Sequence, residues 1–196
     1  MTDNAPRLIL ASASPRRQQL LRDANYDFTV QPADVDESAA PNLLPVELAR
    51  HLSMIKAAAV AAQFPDDVIL AADTIVAFGD KALGKAADVV EARRTLTLLS
   101  GTTHIVITGV TIIHQSSGYQ STRHAMSAVH MRRLSLQEIQ EYLASGQWEG
   151  KAGAYGIQDP DPFVTNMAGS LSNIVGLPME LTATMLTDAG ILPQTP

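Results

Sequence analysis

Apolar and polar residues along this chain follow two rhythms, and the switches between them predict the order of its elements. Residues 8–11, Leu-Ile-Leu-Ala, form a short apolar run of the kind a buried strand uses. Ser14 and Pro15 follow at once, a good N-cap and a good first helical residue, so a helix is expected over 15–24 with Leu20 and Leu21 inward. Residues 26–30 alternate as a second strand, and 33–45, acidic and holding two prolines, read as a loop. The alanine-rich stretch 46–63 repeats apolar residues at Leu48, Leu52, Ile55, Ala59 and Ala62, an amphipathic helix closed by Pro65.

A long apolar strand runs from 68 to 78, interrupted only by Asp73 and Thr74. Asp88 opens a helix to about 99, stopped by Gly101. Two long strands, 103–114 and 121–133, are joined by turn residues 115–119. Ser135 and Glu138 make a capping box for a helix to about 144. Residues 146–176 are glycine-rich with a short strand at 163–167, and a last helix runs from Pro178 to near Gly190. Helices alternating with strands, plus one long hairpin, predict an α/β fold built on a mixed twisted sheet flanked by helices. No repeat or linker divides it, so residues 1–196 are expected to form a single domain.

Charge narrows the function. Twenty acidic residues against 14 basic ones give a net charge of −6, the opposite of the basic face that nucleic-acid binding needs. The chain has no cysteine, which excludes disulfides, thiolate metal sites and thiol catalysis. No stretch approaches the ~18 apolar residues of a membrane span. The expectation is a cytoplasmic protein with no membrane and no nucleic-acid partner.

Two features break the pattern. Arg16 and Arg17 stand in the first turn of the first helix, where the helix dipole disfavours cations and welcomes anions. Arginines, free backbone N–H groups and the Ser12 and Ser14 hydroxyls at a strand-to-helix corner make a phosphate site. Asp73 is the second. A carboxylate inside an apolar strand needs a cation, a metal or strong donors, so it is either a paired structural acid or a catalytic base or Mg²⁺ ligand. Asp34, Asp36 and Glu37 form an acidic loop that joins such a site only if it folds over Asp73. Lys56 and Lys85 can each be a surface lysine or a phosphate ligand. Gln158, after the Gly153…Gly156 turn, offers one donor and one acceptor, which suits a base edge. The five histidines show no i, i+4 pair, so no histidine metal site is expected.

In order and spacing, Ser-x-Ser-Pro-Arg-Arg, Ala-Asp-Thr, Gly-Lys, Ser100-Gly101…His104, Lys-Ala-Gly-Ala-Tyr-Gly-Ile-Gln and Gly-Ser…Gly176-Leu177-Pro178 resemble the Maf proteins from about residue 8 to 189. The resemblance implies a Maf/inosine triphosphatase-like fold, two lobes around a central cleft, often as a homodimer. It implies a house-cleaning enzyme that hydrolyses a nucleoside triphosphate to the monophosphate and pyrophosphate with Mg²⁺ or Mn²⁺. By match to family positions, Asp73 would be the catalytic acid-base residue and, with Glu37, a metal ligand. Ser14, Arg16, Arg17, Lys56 and Lys85 would hold phosphates. Arg16, Thr74 and Gln158 resemble the branch acting on dTTP and UTP. Two other readings stand beside this one: a pyrophosphatase for purine or modified nucleotides such as 7-methyl-GTP, and a regulator that binds nucleotide without cleaving it. The pattern departs from the family at Ala86, where a proline is usual, and in the residues before Lys56, which lack the usual charges.

Overall fold

A seven-stranded mixed sheet carries the fold, and alternation along one of its long buried strands decides which helices settle on which face. The computed structural model describes residues 6–37, 43–159 and 163–195. The chain runs β1 (Leu8–Leu10), α1 (Pro15–Asp23), β2 (Thr29–Val30), α2 (Pro45–Ala61), β3 (Val68–Phe78), β4 (Lys81–Leu83) and α3 (Val89–Leu99). It continues through β5 (Thr103–His114), β6 (Tyr119–Met131), α4 (Leu136–Ala144), β7 (Val164–Ala168), α5 (Leu171–Val175) and α6 (Met179–Asp188). Across the sheet the order is β2-β1-β3-β5-β6-β7, with β4 added beside β3. β1 is parallel to both neighbours and the other pairings are antiparallel, so the sheet is mixed as expected.

Local chemistry explains most boundaries. Asp88 accepts from the Val90 and Glu91 amides to start α3, and the Ser135–Glu138 capping box starts α4. β2 is shorter than the predicted 26–30. Asn25 adopts φ 58°, the Tyr26 amide closes α1 by donating to the Leu21 carbonyl, and Tyr26 turns into the core. β4 and α5 were not expected. A two-residue turn with Gly79 at φ 59° folds the exposed β4 back on β3, and Ser170 caps the five-residue α5 by accepting from the Asn173 amide.

Along β3, Ile69, Ala71, Ile75 and Ala77 face α2, meeting Ala49, Leu52, Ala57 and Val60. Val68, Leu70 and Ala72 face the other way, against Leu21 of α1 and Met185 and Leu186 of α6. Val76 shares that second face but belongs to another cluster, with Leu96 and Leu99 of α3 and Tyr142 and Leu143 of α4. Between the two clusters lie Thr74 and its β5 partner Thr108, a polar break in an otherwise apolar face. The break divides that face into two lobes.

The same position is open at the strand edge. β1 pairs with β3 only over Val68–Leu70, and β4 pairs with it only over Val76–Phe78. Among the described residues, no strand covers 71–75 on that edge, and Asp73 sits at the centre of the gap. On the other edge Asp73 is paired directly with Gly109 of β5.

Candidate active site

The cleft fills this gap, and its first wall is the turn from β1 into α1. Ser14 occupies the N-cap position of α1, yet its side chain makes no capping bond. Ser12 Oγ instead accepts the Ser14 amide at 3.3 Å, so the Ser14 hydroxyl is left to the cleft it borders. Arg16 borders the same space, half-buried. Arg17 has protein acceptors. Its Nε donates to the Gly176 carbonyl at 2.8 Å, Nη1 to Ser12 Oγ at 3.1 Å and Nη2 to Thr74 Oγ1 at 3.1 Å. Burial draws its pKa below the ordinary arginine value, while nearby Asp73 acts the other way.

Asp73 is 8% exposed and faces α2 rather than α1. Lys56, on the fourth turn of α2, places Nζ 2.5 Å from Asp73 Oδ1 and 2.9 Å from Glu37 Oε1. The acidic loop thus does fold over Asp73, and one ammonium joins both carboxylates. Burial raises the Asp73 pKa above the usual carboxylate value; Lys56 and Arg17 oppose that rise and Glu37 adds to it. Thr74, the next residue, points to the opposite face. Its hydroxyl lies 3.0 Å from Thr108 Oγ1 and 3.4 Å from the Gly176 carbonyl. Thr108 Oγ1 in turn donates to the Asn173 carbonyl at 3.1 Å, which ties α5 to the floor of the cleft.

The second wall comes from the other lobe. Lys85, exposed beyond β4, forms an isolated antiparallel bridge with Ala152, and the Gly153 amide donates to the Gly84 carbonyl at 3.0 Å. Gly153 has φ 72°, and a Cβ there would meet Val76 Cγ2 at 2.8 Å, so the loop lies flat on β3. Tyr155 is fixed from below by His104, whose Nε2 is 2.6 Å from its hydroxyl. Gln158 is exposed at the cleft, and among the described residues none hydrogen-bonds its amide.

All the residues predicted for the site, from Ser14 through Glu37, Lys56 and Asp73 to Gln158, border this one cleft of about 690 Å³, a size that suits a small-molecule ligand. The sequence does not reveal that Ser12, expected to offer its hydroxyl to a phosphate, and Gly176 bind Arg17, nor does it show the His104–Tyr155 pair or the Lys151–Asp159 ion pair. Only the neighbouring lysine and glycines gave a local signal for the last of these.

Among the described residues no three His, Cys, Asp or Glu side chains cluster as a metal cage. Two carboxylates converging on one ammonium nonetheless fit Mg²⁺ or Mn²⁺, which commonly take one or two protein carboxylates and complete their shell with phosphate oxygens and water.

Comparison with known proteins gives a consistent pattern. The family described as Maf-like protein matches residues 7–189. A dTTP/UTP pyrophosphatase of Cereibacter sphaeroides is 47% identical over 186 residues, covering 94% of this chain and 95% of that one. One from Hyphomonas neptunium is 47% identical over 192 residues, covering 97% and 98%. Another, from Moorella thermoacetica, is 41% identical over 186 residues, covering 94% and 96%. Among solved structures, a HAM1 protein from Coxiella burnetii is similar with a TM-score of 0.48 and 21% identity, covering 66% of this chain and 74% of that one.

Proposed function

The chain belongs to the Maf-like protein family, and on that premise we propose that its cleft hydrolyses dTTP and UTP to the monophosphate and pyrophosphate. The protein is a hydrolase of the nucleoside triphosphate pyrophosphatase kind. The observation that carries the chemistry is the placement of Asp73: a buried carboxylate of raised pKa, at the centre of an open strand edge, with cationic side chains around it.

Water has to attack the α-phosphorus, and negative charge gathers on the departing pyrophosphate. A free aspartate is a weak base, with a pKa near ~3.9. Burial raises the Asp73 pKa above that of a solvated aspartate, so its carboxylate is the stronger base toward water. Lys56 keeps the carboxylate oriented and holds Glu37 beside it. Arg16 and Lys85 stand on facing walls of the cleft, where they can take the triphosphate between them, and the Ser14 hydroxyl, which makes no capping bond to α1, adds a neutral donor. Arg17 fixes the corner through Ser12, Thr74 and Gly176 and contributes its charge from behind. A divalent cation held by Glu37 and Asp73 would supply further charge neutralisation and a more acidic water. Gln158 is assigned to the base edge that uracil and thymine share, with Arg16 and Thr74 as its partners in selection. The cysteine-free, acidic sequence is consistent with action on cytoplasmic nucleotide pools, and among the described residues no helix is long and apolar enough to cross a membrane.

Asp73→Asn tests the assignment, because it keeps size and hydrogen bonding while removing the basic charge. Turnover of UTP is expected to fall at least ~10²-fold with the triphosphate still bound. Near-normal turnover in that variant removes Asp73 from the chemistry.

A further inference from the structure

Among the described residues none hydrogen-bonds the Gln158 side-chain amide, so its placement depends on the backbone that carries it. A glutamine side chain free to rotate loses rotamer entropy when it binds, so a base-reading glutamine gains most from a rigid backbone beneath it. The backbone around it is a tight turn. The Asp159 amide donates to the Gly156 carbonyl at 3.3 Å, and the Gly156 amide donates back to Asp159 Oδ2 at 2.9 Å. Gln158 lies inside that closed ring.

The carboxylate that closes the ring is anchored outside it. Tyr142, on α4, donates its hydroxyl to Asp159 Oδ2 at 2.6 Å, and Lys151 pairs with Oδ1. Tyr142 is 8% exposed and packs edge-on against Phe163 with ring centroids 4.8 Å apart, so it belongs to the core of the second lobe. The clasp is tight around the glycine as well. A Cβ at Gly156 would meet Asp159 Oδ1 at 2.7 Å and Lys151 Nζ at 2.8 Å. Lys151 also offsets a negative charge that would otherwise face an incoming triphosphate.

We propose that Asp159 is a positioning residue for base selection: its carboxylate ties the Gly156–Asp159 turn to Tyr142 of α4 and so presents Gln158 to the pyrimidine edge. The inference rests on the reading of Gln158 as the base-contacting amide. It assigns no chemistry to Asp159, Tyr142 or Lys151, all of which act through the turn.

The test compares kcat and KM for UTP and CTP in wild type, Asp159→Ala, Tyr142→Phe, Gln158→Ala and the Asp159→Ala/Gln158→Ala double variant. Loss of a hydrogen-bonded charged anchor is expected to lower the UTP-over-CTP ratio of kcat/KM about tenfold in Asp159→Ala. The change should enter through KM for UTP, with kcat for UTP held. Tyr142→Phe keeps the ring packing and removes one anchor, so it should move the ratio the same way by a smaller factor. It serves equally if Asp159→Ala does not fold. The double variant should discriminate no worse than Gln158→Ala alone. A wild-type ratio in both Asp159→Ala and Tyr142→Phe, beside a lowered ratio in Gln158→Ala, overturns the positioning role. An unchanged ratio in Gln158→Ala overturns the base-reading assignment, and the role of Asp159 falls with it.

Discussion

Asp73 lies directly opposite Gly109 in the β3–β5 ladder, and the missing side chain at 109 sets how near α2 comes to it. A Cβ at that position would strike the backbone of Ala49 and Arg50 on α2, and helix backbone yields only by moving the whole helix. Lys56 rides on the same helix, seven residues past Ala49 and so about 10 Å along the axis. Close docking at Gly109 is therefore part of what brings the ammonium to Asp73 and Glu37.

Gly109→Ala should accordingly act on two quantities. Overpacking is expected to cost about 1–3 kcal/mol in thermal or denaturant unfolding. Turnover should fall further than in Leu186→Ala, which is also destabilised but lies in the α6 cluster on the opposite face. Equal turnover in the two variants would show that α2 can move without disturbing the site.

The two first-turn arginines should part company. Arg17 holds Ser12, Thr74 and Gly176 together, so Arg17→Ala removes three hydrogen bonds from one charged donor and is expected to lower stability by roughly 1–3 kcal/mol as well as turnover. Arg16→Ala should leave the unfolding transition nearly in place and raise KM for the triphosphate, since a first-turn cation adds nothing favourable to its own helix. A large stability loss in Arg16→Ala would make it a structural residue instead.

His104 gives a pH dependence with a definite sign. Burial, with a smaller contribution from His130, lowers its pKa to about 4, and its buried Nδ1 has no hydrogen-bond partner among the described residues. A folded pKa below the unfolded ~6.5 means the unfolded chain binds the proton more readily between those values. The stabilisation is present above pH ~6.5 and is lost as pH falls toward 4, roughly 3 kcal/mol across the window. His104→Gln, which keeps a partner for the Tyr155 hydroxyl, should flatten the fall in Tm between pH 6.5 and 4. A slope as steep as wild type would place the acid sensitivity elsewhere.

Much of this molecule is legible from its sequence where one local rule dominates. β3 runs over the predicted residues because a long apolar run has few alternatives, and the Asp88 and Ser135 caps work as their chemistry suggests. Asp73 stood out for the same reason, a charge where the pattern forbids one. β4 escaped notice because its Lys-Ala-Leu is short and exposed, and its pairing is decided by β3. α5 was missed because Leu-Ser-Asn-Ile-Val has no helical rhythm and depends on Ser170 for its start. The partners of Arg17 lie 57 and 159 residues away at Thr74 and Gly176, beyond the reach of any local period. The Asp159 clasp is hidden likewise, since its hydroxyl donor, Tyr142, comes from α4, 17 residues away.

The most direct test of the whole account is where water enters the products. UTP or dTTP should be hydrolysed in oxygen-18 water with a divalent cation, and the products analysed by mass spectrometry after a single turnover. Attack at the α-phosphorus places the heavy oxygen in UMP or dTMP and leaves the pyrophosphate unlabelled. Label in pyrophosphate, or release of orthophosphate with a nucleoside diphosphate, would contradict a cleft built to activate water at Asp73 for α-phosphorus attack.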